Sequence, residues 1–376
     1  MAVVRLDNIR PEMLRWAYER AGFNEGSAID AFPKLADWLS GAKLPTVKQL
    51  QDFASKFHTP FGFLFLDEAP VESIPIPMFR GEAGHTDHFD LDVYDTVTTI
   101  QGRQEWLEDY LRDNEIDTCP IVGTVSIQTP IMETVTLLRN HLQLENKWAF
   151  GLNKPDDAVN ELTERLEQLG IFIAFNGVVG NDSHRVLKVS ECRGFALVNE
   201  IAPYIFVNSQ DSKSAQLFTL IHETVHIMLG TSAGDAGYGD DEICHNDTER
   251  YCDMIAAEFL VPADTIKELW NKDIKRIARK FKVSELVVAR RAHELGLLSS
   301  EEYRKFWLQY NRRTMRPPTK RSGGGDFYRT STKRIGKTFA IHIKNAVHNR
   351  QLTYTEAYRL TGLHGRTYDR FMLNNI

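Results

Sequence analysis

The stretch LFTLIHETVHIMLG, residues 217–230, constrains this chain more than any other. His222 and His226 lie four apart, with Glu223 directly after the first, and apolar residues flank them on both sides. A helix that is apolar all round has to be buried. Residues i and i+4 share one face of a helix, so the two imidazoles stand side by side inside it. Buried polar groups without partners are costly. The fold around this helix must therefore supply polar partners or a metal ion.

Paired histidines with a glutamate in the HExxH spacing are a zinc pattern. Glu223 points to the side of the pair, where it reaches a water beside the ion but not the ion itself. The same five residues can also sit in a buried helix whose polar groups are satisfied by other side chains. A third ligand should come from a second element. Glu249 opens a helical stretch, TERYCDMIAAEFL, 23 residues after His226. Asp253 follows one turn later on the same face. In this reading Glu249 ligates the metal and Asp253 accepts a hydrogen bond from the other nitrogen of a ligating histidine. Ala256 and Ala257 are small enough to let this helix approach the first. Asp241, Glu242 and His245, in the intervening glycine-rich loop, are rival third ligands. A structural zinc on Cys244, His245 and Cys252 lacks a convincing fourth ligand.

Residues 194–262 resemble the ImmA/IrrE family of zinc metallopeptidases. The likeness is carried by GFAL, IFVN, FTLIHETVH and then ExxxDxxAAEFLVP at 249–262, in that order and spacing. It differs from the usual family pattern at Ala215 and Leu217, where arginines are common, and at Thr224-Val225, where Leu-Gly is more usual. None of these is a ligand, so the departures bear on substrate preference. The resemblance implies Zn2+ as cofactor and His222, His226 and Glu249 as its ligands. It also implies Glu223 as catalytic base and hydrolysis of a peptide bond in one regulatory protein, such as a transcriptional repressor, in a stress or mobile-element response. Tyr238, His245 and Tyr251 are candidate oxyanion or substrate contacts. YIFVN (204–208) is the candidate edge for an extended substrate to pair with, or else an ordinary interior strand.

The expected fold is α+β and mostly helical, with a small mixed sheet packed on the HExxH helix and helical units at both ends. Residues 1–66 read as a helix-turn-helix-like unit of the phage-repressor type. Pro11 stands at a helix start, and Thr46 with Gln49 forms a capping box before PTVKQLQDFASKF. Residues 67–129 are a Pro/Gly-rich connector and helices, with Val93, Val97, Ile100, Leu107 and Leu111 at helical spacing. Residues 130–266 are the zincin-like metallopeptidase core. Its strands are expected at IFIAF (171–175), RVLKVS (185–190), GFALVN (194–199) and YIFVN, the last two as a hairpin. Residues 267–312 form another helical, helix-turn-helix-like unit, and 313–376 a basic region with a second capping box at Thr353 and Glu356.

Charge is uneven. Residues 311–376 carry 14 Lys and Arg against 3 Asp and Glu, a net +11, and the other 310 carry 31 against 48, a net −17. Such a tail either meets nucleic acid or docks on the acidic body. Lys43, Lys48, Arg321, Arg334 and Lys337 are the candidate nucleic-acid contacts, to DNA or RNA. The competing function is therefore a DNA-binding regulator, or the antitoxin of a toxin–antitoxin pair, with a structural or vestigial metal site. Four scattered cysteines without a CxxC pair fit a reducing compartment. The first twenty residues are charged throughout, so neither an export signal nor a membrane span is expected. The expected location is the cytoplasm.

Overall fold

A computed structural model of the chain describes residues 5–72, 78–79, 90–235, 247–314, 326–374 and 376. The chain divides into two compact units, residues 1–74 with 89–94, and residues 75–88 with 95–376. Of the segments expected beyond residue 66, everything from residue 95 onward lies in the second unit, while 67–74 and 89–94 fall in the first. Among the described residues no helix is long and apolar enough to cross a membrane.

The first unit contains helices α1 (Pro11–Arg20), α2 (Glu25–Ala31), α3 (Leu35–Leu39) and α4 (Val47–Lys56). Thr46 caps α4 through its hydroxyl while Gln49 reaches back to the Thr46 amide, as the capping box requires. The core is aromatic, with Phe53 between Phe32, Trp38 and Phe57. Three residues, 32–34, join α2 to α3.

The second unit is built on a mixed five-stranded sheet. Its strands are β1 (Met78–Phe79), β2 (Phe172–Asn176), β5 (Gly194–Leu197), β6 (Tyr204–Asn208) and β7 (Ala233–Asp235), in the order β1-β7-β5-β6-β2. β5 and β6 form the expected hairpin, with Gly194 opposite Val207 and Leu197 opposite Tyr204. β6 also pairs with β2 in parallel. YIFVN is therefore an interior strand, paired on both sides, and offers no edge to a substrate. Its unbroken run of apolar side chains reflects burial on both faces. The strand expected at 185–190 lies earlier. β3 (Val178–Val179) and β4 (Asp182–Val186) make a separate two-stranded ribbon, and the chain turns after Lys188, whose carbonyl accepts from Glu191 and Cys192.

The helices from residue 91 to residue 269 are α5 (Leu91–Asp113), α6 (Ile131–Leu142), α7 (Pro155–Gln168), α8 (Lys213–Leu229), α9 (Asp247–Leu260) and α10 (Ala263–Leu269). Of these, α7 and α8 pack directly on the sheet, and α9 packs on α8 and α6. The periodic residues Val93, Val97, Ile100, Leu107 and Leu111 of α5 are all buried. Every residue of α8 from Thr219 to Met228 is buried, as its all-round apolar sequence demands. The helix packs on β5, β6 and β7 and against α7 and α9. One core joins α6–α9 and the sheet to α11 (Ile274–Phe281) and α12 (Glu285–Glu294), with α13 (Ser300–Thr314) following. The basic C-terminal region folds as α14 (Phe327–Ile335), α15 (Lys337–His348), α16 (Tyr354–Thr361) and α17 (Gly365–Asn374). α14 and α15 pack on β2. Arg103 of α5 donates to the carbonyls of Leu360 and Arg334, which ties this region to the body.

Candidate metal centre

Ser212 caps the start of α8 by accepting from the Ala215 amide, and Gly230 ends it in the left-handed conformation at φ 71°. The buried helix between them carries His222 and His226. α9 runs against it, with the small side chains of Cys252 and Ala256 fully buried. That close approach brings two carboxylates to the histidines. His222 Nε2 lies 3.1 Å from Glu249 Oε2, His226 Nε2 3.1 Å from Glu249 Oε1, and the two Nε2 atoms are 3.2 Å apart. His222 Nδ1 lies 3.1 Å from Asp253 Oδ1.

The three converging groups test directly whether a metal fits. Nitrogen and oxygen ligands 2.0–2.2 Å from a tetrahedral zinc lie roughly 3.3–3.6 Å apart. Here the two Nε2 atoms are 3.2 Å apart and each lies 3.1 Å from a different oxygen of Glu249, separations of that size within a few tenths of an ångström. The donor set, two imidazoles and one carboxylate with a second carboxylate behind, suits a divalent ion. Asp253 fixes the His222 tautomer by accepting from Nδ1, which leaves Nε2 to face the cluster.

The electrostatics agree. Burial opposes charge on His222, yet hydrogen bonds to Asp253 and Glu249 hold its pKa well above the ordinary imidazole value. Burial likewise opposes charge on Glu249, but the two histidines pull its carboxyl down to about 2. The site is thus a pocket where positive charge is strongly favoured, held by a proton or, equally, by a cation. Cys252 Sγ also lies within 4.8 Å of both histidines' ligand atoms. Without an ion, burial pushes its thiol up, and it stands beside Glu249 as a second group that could complete the set.

Glu223 is fully buried beside the pair. β5 makes room for it. A Cβ on Gly194 would stand 3.5 Å from Glu223 Oε1, 2.5 Å from the Thr219 methyl and 2.8 Å from the Phe206 carbonyl. Gly194 opens the GFAL strand, and only this close approach reveals why it is glycine. Sequence reasoning also missed Arg290, whose guanidinium lies 3.8 Å from Asp253 Oδ2, and the buried pair of Arg291 with Glu258, which holds α12 to α9.

Other candidate residues fall elsewhere. Tyr251 sits on α9 two residues after Glu249, turned away from its face, and its hydroxyl bonds to Thr134 and to the Thr129 carbonyl. It fastens α9 to α6. Tyr238 and His245, like the rival ligands Asp241 and Glu242, lie outside the described residues, as does Arg321. Lys43 pairs with Asp37 at 2.8 Å and Lys48 with Asp52 at 2.9 Å. Arg334 is half-buried and Lys337 exposed, both on the C-terminal helices packed on β2.

A cluster of two histidines and two carboxylates on adjacent helices, beside a small mixed sheet, offers the ligands that a metal site needs. Comparison with known proteins points to a family. Residues 166–293 match the model of the M78 peptidase family, described as the IrrE N-terminal-like domain. The match supports a peptidase domain of the ImmA/IrrE type over these residues, about a third of the chain. Residues 335–374, which hold α15–α17, match a domain of unknown function, DUF8813. No curated protein matches the chain.

Proposed function

We propose that this protein is a zinc-dependent, site-specific endopeptidase that cleaves a cytoplasmic regulatory protein, a transcriptional repressor, in a stress or mobile-element response. The observation that carries the reading is the convergence of His222 Nε2, His226 Nε2 and the two Glu249 oxygens, with Glu223 buried at the adjacent helix position. His222, His226 and Glu249 would hold the ion. When bound, zinc supplies Lewis acidity that lowers the pKa of water and polarises a carbonyl. Glu223 accepts a proton from the attacking water as its oxygen bonds to the scissile carbon. Glu223 then returns the proton to the amide nitrogen as the C–N bond breaks. Asp253 keeps the His222 ring oriented throughout. The family resemblance supplies the substrate class, and the helical first unit is the natural place to dock it. The aspartate partners of Lys43 and Lys48 favour a protein there over phosphate.

The test is Glu223→Gln in the full chain. The variant should keep the zinc content of wild type and lose cleavage of the cognate repressor by about 10²-fold or more, the usual worth of a general base. Cleavage is followed by intact-mass analysis of the products. Undiminished cleavage, or function carried instead by salt-sensitive DNA binding that Glu223→Gln leaves untouched, would overturn the reading.

A further inference from the structure

A second feature lies away from the metal centre, where α7, α8 and α14 meet. A cavity of about 430 Å³ opens there, lined by five cationic side chains, Lys154, Lys213, Arg329, Lys333 and Arg334, and a single carboxylate, Asp156. The one anion is already shared: Lys213 and Lys333 each place Nζ 3.6 Å from Asp156. Lys154 turns toward Asp157 at 3.9 Å. Among the described residues no carboxylate pairs with Arg329 or Arg334. Three separate parts of the fold thus direct like charges into one concavity, and surface lysines that merely solvate themselves do not need to converge.

Burial, and at Lys213 a neighbouring cation as well, tells on two of these groups. Burial and then the nearby Lys333 lower the pKa of Lys213. Burial lowers that of Arg334 as well. An anion in the cavity relieves both effects. The N-terminal ends of α7, 14 residues long, and α8, 17 residues long, open on the same space and add their positive dipole ends to it. Phe175 and Val178 contribute an apolar wall, so the cavity is more than a phosphate cradle. Its volume lies in the range of small-molecule sites and suits a ligand the size of one nucleotide rather than a polymer.

We infer that this cavity binds a small phosphate-bearing molecule of nucleotide size, an effector site distinct from the metal centre. It joins the matched peptidase domain, through Phe175 and Lys213, to α14 of the C-terminal region. Lys213 opens the helix that carries His222 nine residues later, roughly 13–14 Å along its axis. A ligand held there clamps α14 onto the start of the site helix. The inference is independent of the peptidase reading.

Isothermal titration of the zinc-loaded full chain in magnesium buffer tests it, with ATP and inorganic pyrophosphate as probes and adenosine as the uncharged control. Saturable one-to-one binding of ATP or pyrophosphate, and none of adenosine, is expected. Lys333→Gln should weaken binding about tenfold or more, the worth of one charge-assisted hydrogen bond. Arg329→Gln, at an exposed position, should do the same and carries the comparison if Lys333→Gln unfolds. Absence of saturable binding by either phosphate probe overturns the inference. So does equal binding by wild type and both variants. Tighter binding of a 15-residue oligothymidine than of ATP, lost in the same variants, overturns it in favour of a nucleic-acid groove.

Discussion

Gly194→Ala asks whether the close approach of β5 to α8 sets the metal centre. An added Cβ meets the Thr219 methyl at 2.5 Å and the Phe206 carbonyl at 2.8 Å. Carbon contacts are optimal near 3.5–4.0 Å, so the overlap with the methyl is about 1 Å. The carbonyl belongs to β6, held in the ladder on both sides, and cannot withdraw cheaply. The strain must therefore push α8 away from the sheet, one turn before Glu223. Overpacking of this kind costs about 1–3 kcal/mol. In a unit of a few hundred residues each kcal/mol lowers Tm by roughly 2–4 °C, which gives a fall of about 2–12 °C. Circular dichroism melts with parallel zinc analysis measure it. Gly102→Ala is the control. That glycine lies inside α5 with nothing within 4 Å of a built Cβ, and alanine there should be neutral or stabilising by up to about 1 kcal/mol. A Gly194→Ala protein that melts with wild type and holds zinc equally well refutes the argument.

Two further outcomes follow from the geometry. Asp253→Ala removes the 3.1 Å partner of His222 Nδ1 and should weaken zinc binding about 10–100-fold, read by competition with a chromophoric chelator; unchanged affinity would show that His222 needs no orienting. The pH response has a defined sign. In the metal-free protein His222 is raised, so its stabilisation is complete below about pH 6.5 and is lost as pH rises through the higher folded value. Glu249 is depressed, so its stabilisation is present above about pH 4.5 and is lost only as pH falls through about 2. The site therefore stabilises the chelator-stripped protein most between about pH 4.5 and 6.5. Zinc must displace the His222 proton, so its affinity rises with pH above that window. Urea melts and zinc titrations across pH 5–8 check both trends, and an affinity flat with pH would contradict them.

Helices were the legible part of this fold because periodicity reports burial one face at a time. The α5 pattern placed its five apolar residues correctly, and capping chemistry located the starts of α4 and α16 through Thr46 with Gln49 and Thr353 with Glu356. Strand neighbours are a different matter. YIFVN reads the same whether it is an edge or an interior strand, because an apolar run says that both faces are covered and nothing about main-chain pairing. Only β2, more than thirty residues earlier in the chain, shows that its second edge is taken. Gly194 was opaque for the same reason. Its small size is set by Thr219 and Glu223 on another element, not by its own strand.

The clustering of these four side chains could be anticipated because helical spacing brought two of them together and a second helix brought the others. The i, i+4 rule places His222 with His226 and, separately, Glu249 with Asp253. Packing α9 on α8 then leaves one arrangement in which Asp253 backs His222 while Glu249 spans both rings. The basic tail had no such rule. Its net charge alone is compatible with nucleic acid or with docking, and in the structure part of it docks on the body while part is left over. Phe339 turns inward, its ring beneath the Arg103 guanidinium and edge-on to Trp106, and so is spent on attaching the tail to the body. Lys333 shares Asp156 with Lys213, which takes one carboxylate from an acidic body but neutralises only part of what converges there. Docking by charge alone would have matched cations to carboxylates one for one. The excess left in the cavity is what docking does not explain, and it is the reason a small anion, rather than the body itself, is the partner that completes this part of the fold.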